Sequence, residues 1–265
     1  PAPKKRKMGH PNWRSAHLAP DDSGEVYEGG WLRGRRHYLG CCVYPGGNMY
    51  EGEWRTGLEH GKGKLLGPDR SFIFDGYFQE GKIHGRGRYL FPRGDEYDGE
   101  WKENQRHGRG RYTTAAGAVY DGEWRDGVRH GRGRMAWPDG AAYDGDWADD
   151  LRHGRGVLTL ADGFCYDGQW ARDLMEGRGA VAHPCGQRYE GSFRGGLKEG
   201  RGTLFFANGA QYEGRFRDDK IDGTGTLKIT EPVEDVEEGG YLIPIQFQSD
   251  MERIHLKAGF DKEGQ

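Results

Sequence analysis

Tyr97-Asp98-Gly99-Glu100-Trp101-Lys102-Glu103-Asn104-Gln105-Arg106-His107-Gly108-Arg109-Gly110-Arg111-Tyr112 alternates Tyr, Gly and Trp with charged side chains as far as Trp101, the two-residue period of a β-strand. Asn104 stands seven residues beyond Tyr97, and the corresponding residues elsewhere are Gly34, Gly57, Gly81, Gly127, Asp150, Asp173, Gly196 and Asp219. Gly, Asn and Asp tolerate positive φ, so a tight hairpin turn belongs there. A second strand then runs through His107-Gly108-Arg109-Gly110. A further Gly about twenty residues after the aromatic (Gly47, Gly94, Gly117, Gly140, Gly163, Gly186, Gly209) turns the chain into the next unit.

This unit recurs. Aromatic–x–Gly begins at Tyr27, Tyr50, Phe74, Tyr97, Tyr120, Tyr143, Tyr166, Tyr189 and Tyr212, every step being 23 residues except the 24 from Tyr50 to Phe74. Such a period marks stacked supersecondary units, which make extended binding surfaces rather than one deep cleft. The spacing predicts three segments: a basic tail over 1–23, nine repeats over 24–230, and an acidic linker with a capping or docking segment over 231–265.

The two-residue turn predicts a register. Tyr97 should face Gly110, Gly99 should face Gly108 and Trp101 should face Arg106, with aromatic rings lying over glycines on one side of the sheet. The other side should carry acid–base pairs within each hairpin: Asp98–Arg109, Glu51–Lys62, Asp75–Arg86, Asp121–Arg132, Asp144–Arg155, Asp167–Arg178 and Glu190–Arg201. A second row should set Glu53, Glu100, Glu123 and Asp146 against His60, His107, His130 and His153. Where an acid replaces the His (Glu176, Glu199, Asp222), the facing residue is Gln169, Ser192 or Arg215, so like charges are avoided.

Composition narrows the function. Gly is 48 of 265 residues, but without a Gly-X-Y period this is not collagen, and the density of Tyr and Trp argues against disorder. Net charge is −3 with 31% charged residues, which leaves no global field to attract nucleic acid. Cys41, Cys42, Cys165 and Cys185 have no framework spacing and imply a reducing compartment. No apolar run is long enough for a transmembrane helix, and no secretory h-region is visible. His37, His60, His84, His107, His130 and His153 share one repeat position, so their recurrence reads as structural, with no metal and no cofactor expected. The Gly-x-Gly strings sit inside strands and open no helix, so they build no phosphate loop. No catalytic residues and no small-molecule substrate are expected.

Tyr-x-Gly-x-Trp, a turn and His-Gly-x-Gly resemble the MORN (membrane occupation and recognition nexus) repeat. Tyr50-Glu51-Gly52-Glu53-Trp54 with His60-Gly61-Lys62-Gly63 is a clear copy, as are Tyr120–Trp124 with His130–Gly133 and the stretch 143–156. The resemblance implies an all-β, elongated single-sheet solenoid of about nine stacked hairpins with an aromatic groove along one face. At about 4.8 Å per strand such a solenoid would be a rod on the order of 85 Å long. Several places depart from the pattern: His37-Tyr38-Leu39-Gly40 marks the first unit as a cap. Gly67-Pro68-Asp69, with its extra residue, implies a bulge and a bend. Phe78, Phe193 and Phe216 replace Trp.

On this resemblance the chain is a non-enzymatic scaffold that binds an extended or helical segment of a partner protein. The expected contacts are Tyr97, Trp101, Tyr120, Trp124, Tyr143, Trp147, Tyr166 and Trp170, some of which must also be core. Similar all-repeat chains are cytoskeletal, notably in cilia and flagella. The alternative is an organiser binding phosphoinositides or another anionic lipid, suggested by the family's name and by the basic ladder Arg106, Arg109, Arg111, Arg129, Arg132, Arg134, Arg152 and Arg155, unless facing acids neutralise it. Pro3-Lys4-Lys5-Arg6-Lys7 reads as a nuclear import signal or a solvated tail, and Trp13 is placed to pack on the first hairpin. Tyr241-Leu242-Ile243-Pro244-Ile245-Gln246-Phe247 reads as a cover for the last sheet edge or a docking segment.

Overall fold

A computed structural model describes residues 22–229 and 241–245. The basic tail, Trp13, the acidic run from Glu231 to Glu238, and Phe247 lie outside the described residues. The chain divides into two units, Pro1–His107 and Gly108–Gln265. In the first, β1 (Val26–Leu32), β2 (Arg35–Val43), β3 (Met49–Arg55), β4 (Leu58–Leu66), β5 (Phe72–Gln79), β6 (Lys82–Leu90) and β7 (Glu96–Lys102) pair antiparallel in chain order. The division falls inside β8 (Gln105–Thr113). In the second, β8 is followed by β9 (Val119–Arg125), β10 (Val128–Ala136), β11 (Ala142–Ala148), β12 (Leu151–Thr159), β13 (Cys165–Ala171) and β14 (Leu174–Ala182). β15 (Arg188–Arg194), β16 (Leu197–Phe205), β17 (Gln211–Arg217), β18 (Lys220–Ile229) and β19 (Tyr241–Ile245) complete it, again antiparallel in order. β19 takes the outer edge of β18, Tyr241 facing Ile229.

The turns form where Gly, Asn and Asp mark them. Asp126 and Gly127 have φ of 50° and 89°, and Asp149 and Asp150 have 50° and 67°. Two consecutive positive φ angles define a type I′ turn, whose twist matches that of the strands it joins. The linking glycines likewise sit near +90°. The extra residue after Tyr50 makes the expected bulge: Leu65 faces Phe74 and Leu66 faces Phe72, so Ile73 is left over.

The register within each hairpin differs from the sequence expectation. Trp124 faces Arg129 as expected, but Gly122 faces Gly133 and Tyr120 faces Met135, where Gly131 and Gly133 were expected. A bulge after the His shifts the register by two residues, and Gly131 at its centre has a φ of 60°. A left-handed glycine recurs eleven residues after the aromatic in every described repeat but the first, where Tyr38 holds φ 63°.

The shift also reassigns the charged pairs. Glu51 faces Lys64, Asp75 faces Arg88 and Asp121 faces Arg134, while Asp144, Asp167 and Glu190 face Val157, Ala180 and Thr203. The expected bases face the following repeat instead: Arg86 lies against Glu100, Arg109 against Glu123 and Arg132 against Asp146. Near the turn, ahead of the bulge, the expectation holds, with Asp146 opposite His153 and Gln169 opposite Glu176.

The acid three residues after the Tyr has a second role. Glu53, Glu123, Asp146 and Gln169 each accept a hydrogen bond from the backbone amide just past the bulge, at Lys62, Arg132, Arg155 and Arg178 (2.8–3.3 Å). Their bulge glycines, Gly61, Gly131, Gly154 and Gly177, hold φ at 59–61°. Tyr77, Ser192 and Arg215 stand at the acid's position in three other repeats, and there Gly85, Gly200 and Gly223 relax to 72–78°. The side-chain oxygen at this position, carboxylate or amide, therefore sets the geometry of the bulge.

Candidate binding surface

Rings do lie over glycines, by a diagonal route. Tyr143 leans over its own strand's Gly145 and over Gly156 of the next, and a Cβ on Gly156 would come within 2.5 Å of the Tyr143 Cζ. Tyr120, Tyr143, Tyr166 and Tyr189 are each locked edge-to-face between two other rings: Tyr143 is 5.1 Å from Trp147 and 5.5 Å from Trp170, both near perpendicular. Such pairs contribute about 0.5–1.5 kcal/mol each beyond area burial. The Tyr143 hydroxyl donates to the Asp146 carbonyl (3.0 Å), and the Trp147 Nε1–H donates to Gly133 O of the preceding repeat (2.9 Å). Burial pushes the phenols of Tyr166 and Tyr189 up to about 12, partly offset by hydrogen bonding to backbone.

All eight rings expected to contact a partner are therefore packed inside the sheet's aromatic side. Tyr97, Tyr143 and Tyr166 are 0% exposed, Tyr120 1%, Trp170 4%, Trp124 and Trp147 5% and Trp101 6%. What this side offers to solvent is a layer built on the rings. In the second unit a cleft of 520 Å³ is floored by Trp147 and walled by Trp137, Leu158 and Leu160 together with Arg129, Asp150, Arg152 and Asp173.

Arg129 and Arg152 belong here and not to one ladder with Arg132 and Arg155. Alternation along β10 puts Arg129 opposite Trp124 on the aromatic side and Arg132 opposite Asp146 on the other. The Arg129 guanidinium lies 4.3 Å above the Trp147 ring and Arg152 4.3 Å above Trp170. Each is held by a turn carboxylate 21 residues on, Arg129 Nε–Asp150 Oδ1 at 2.9 Å and Arg152 Nε–Asp173 Oδ1 at 2.8 Å. The same oxygens accept the backbone amides of Arg129 and Arg152. Burial alone would raise the Asp173 carboxyl, but the Arg152 bonds outweigh it and hold it low. Asp150 and Asp173 are more than turn residues; the signal for their second role in the sequence is the recurrence of a base 21 residues earlier. Among the described residues no group of His, Cys, Asp and Glu is arranged to hold a metal ion.

Consecutive antiparallel hairpins with a ring-over-glycine core define a β-repeat protein that presents extended faces. The family model for the MORN repeat matches at 27–49, 50–72, 74–96, 97–119, 120–142, 143–164, 166–180, 189–211 and 212–229, and the chain belongs to that family. No curated protein matches the sequence. Among solved structures, the chain is similar to the TCP10 domain of Danio rerio CPAP in complex with a peptide of Danio rerio STIL. The identity is 12% and the TM-score 0.42, over 84% of this chain and 99% of that one. It is also similar to the TCP domain of Drosophila melanogaster SAS-4 in complex with a proline-rich motif of Ana2, at 13% identity and TM-score 0.34, over 68% and 85%.

Proposed function

We propose that the protein is a non-enzymatic scaffold that holds an extended or helical segment of a partner protein along its aromatic side, within a cytoskeletal assembly of the kind that other all-MORN chains occupy. The observation that carries the reading is the cleft over Trp147. An apolar side chain can enter between Trp137, Leu158 and Leu160, while the Arg129–Asp150 and Arg152–Asp173 pairs present fixed donors and acceptors along its rim. Apolar anchors within a polar rim are how protein interfaces concentrate their binding energy. The rings act beneath this layer: Tyr120 and Trp147 hold Arg129 in place and Tyr143 and Trp170 hold Arg152, so that little order is lost on binding.

Crosslinking mass spectrometry in native cells, comparing the wild-type chain with Leu160→Glu, tests this. Leu160 is 39% exposed, so the substitution leaves the core intact. Loss of specific crosslinks in the folded variant supports the cleft; an unchanged crosslink map refutes it. Flotation with anionic vesicles across salt tests the lipid alternative, which salt-sensitive membrane binding would favour.

A further inference from the structure

The side of the sheet opposite the rings changes character along the second unit. Its row of bases starts matched, with Arg109 against Glu123 and Arg132 against Asp146, the latter pair 3.4 Å apart. The next bases lose their acids: Arg155 faces Gln169, Arg178 faces Ser192, and Arg201 faces Arg215 directly across a strand pair. None of these four exposed arginines forms an ion pair among the described residues. Like charges facing each other destabilise a sheet. Two strand positions away runs a row of acids, Asp167, Glu190 and Glu213, whose cross-strand neighbours Ala180, Thr203 and Thr226 are small and uncharged. Glu190 is held by Arg188 at 2.6 Å; Asp167 and Glu213 have no ion pair among the described residues. Between the two rows lies a trough of 890 Å³, floored by the backbone of paired glycines whose missing side chains would point to the other face.

The geometry points to a second docking site here, for an extended acidic segment of a partner protein with a carboxylate at every third residue. Arg155, Arg178 and Arg201 stand on alternate strands, about 9.6 Å apart. A polyproline II chain turns once every three residues, about 9.3 Å, and so presents every third side chain to the same wall. Arg215, beside Arg201, completes the site by sharing an anion with it, which relieves their repulsion. The acidic wall selects a narrow chain over a membrane: a flat anionic surface, like a nucleic acid backbone, would meet Asp167 and Glu213 together with the arginines. This site lies on the opposite side from the Trp147 cleft and does not rest on it.

Fluorescence anisotropy with the full chain and a labelled (Glu-Pro-Pro)5 peptide tests the inference, using (Lys-Pro-Pro)5 and a peptide of equal charge with adjacent glutamates as comparisons. The expected result is saturable binding of the first alone, weakened about tenfold between low and moderate salt and by about fivefold or more in Arg201→Gln/Arg215→Gln. Circular dichroism should show that variant to be folded. Leu160→Glu should bind the peptide normally, which separates the two surfaces. No saturable binding, equal binding of the adjacent-glutamate peptide, or no effect of the double variant would overturn the proposal. So would arginine-dependent flotation with anionic vesicles when the peptide does not bind.

Discussion

Gly156→Ala isolates the contact on which the core is built. The new Cβ would fall on the Tyr143 ring, within 2.5 Å of Cζ and 2.6 Å of Cε2. The ring cannot retreat, because it is 0% exposed and clamped between Trp147 and Trp170. Overpacking of this kind costs about 1–3 kcal/mol, and displacing the hydroxyl from the Asp146 carbonyl adds about 1 kcal/mol. Gly127→Ala supplies the comparison. There the φ is +89° but nothing lies within 4 Å of a new Cβ, so only the backbone penalty of about 1–2 kcal/mol applies. Urea unfolding followed by tryptophan fluorescence should place Gly156→Ala well below Gly127→Ala in midpoint. Hydrogen exchange should show the loss concentrated in β11–β13, since repeats couple mainly to their neighbours. If Gly156→Ala proves no more destabilising than Gly127→Ala, the ring-over-glycine account of the core is wrong.

Other expectations follow from the same contacts. Tyr143→Phe removes a satisfied hydrogen bond and should cost about 1 kcal/mol, whereas the buried Tyr212 hydroxyl has no partner among the described residues and Tyr212→Phe should be close to neutral; urea midpoints compare the two. The Tyr166 and Tyr189 phenols titrate near 12 in the fold against about 10 when unfolded. The fold thus favours the protonated form, so stability is full below pH 10 and falls as pH rises from there towards 12. The buried phenols should ionise together with loss of near-ultraviolet dichroism; their gradual ionisation with the fold intact would contradict this. Tyr38, 61% exposed, holds a left-handed φ of 63° that elsewhere falls to glycine, so Tyr38→Gly should raise stability by about 1 kcal/mol, read as a higher thermal midpoint.

What could be read from the sequence was what repeats at fixed spacing within one strand or one turn. Tyr120, Gly122 and Trp124 share a side because strands alternate, and Gly127 turns because φ must be positive there. The bulge was not legible. In the pattern Gly131 reads as a room-making glycine; its other property, freedom at φ 60°, shifts every pair beyond it by two residues. The shift carries over to the charges, since Arg132 belongs with Asp146 of the next repeat and not with Asp121 of its own. For the candidate surface, the sequence placed the rings of each repeat on one side of the sheet but not their depth. Burial of Tyr143 beneath Trp147 and Trp170 depends on neighbouring repeats, which the pattern of a single repeat does not contain.

The turn carboxylates give the stack a direction. Asp150 satisfies the amide of Arg129, Asp173 that of Arg152 and Asp219 that of Lys198, so each of these repeats is finished by the one that follows it. On the ribosome such a repeat must wait for its successor to emerge before its second strand is fully bonded. A chain cut just before β17 would leave Lys198 without that acceptor, while a cut just after β10 would leave β11 and β12 with their own successor intact. Loss from the trailing end should therefore fray one further repeat than loss from the leading end.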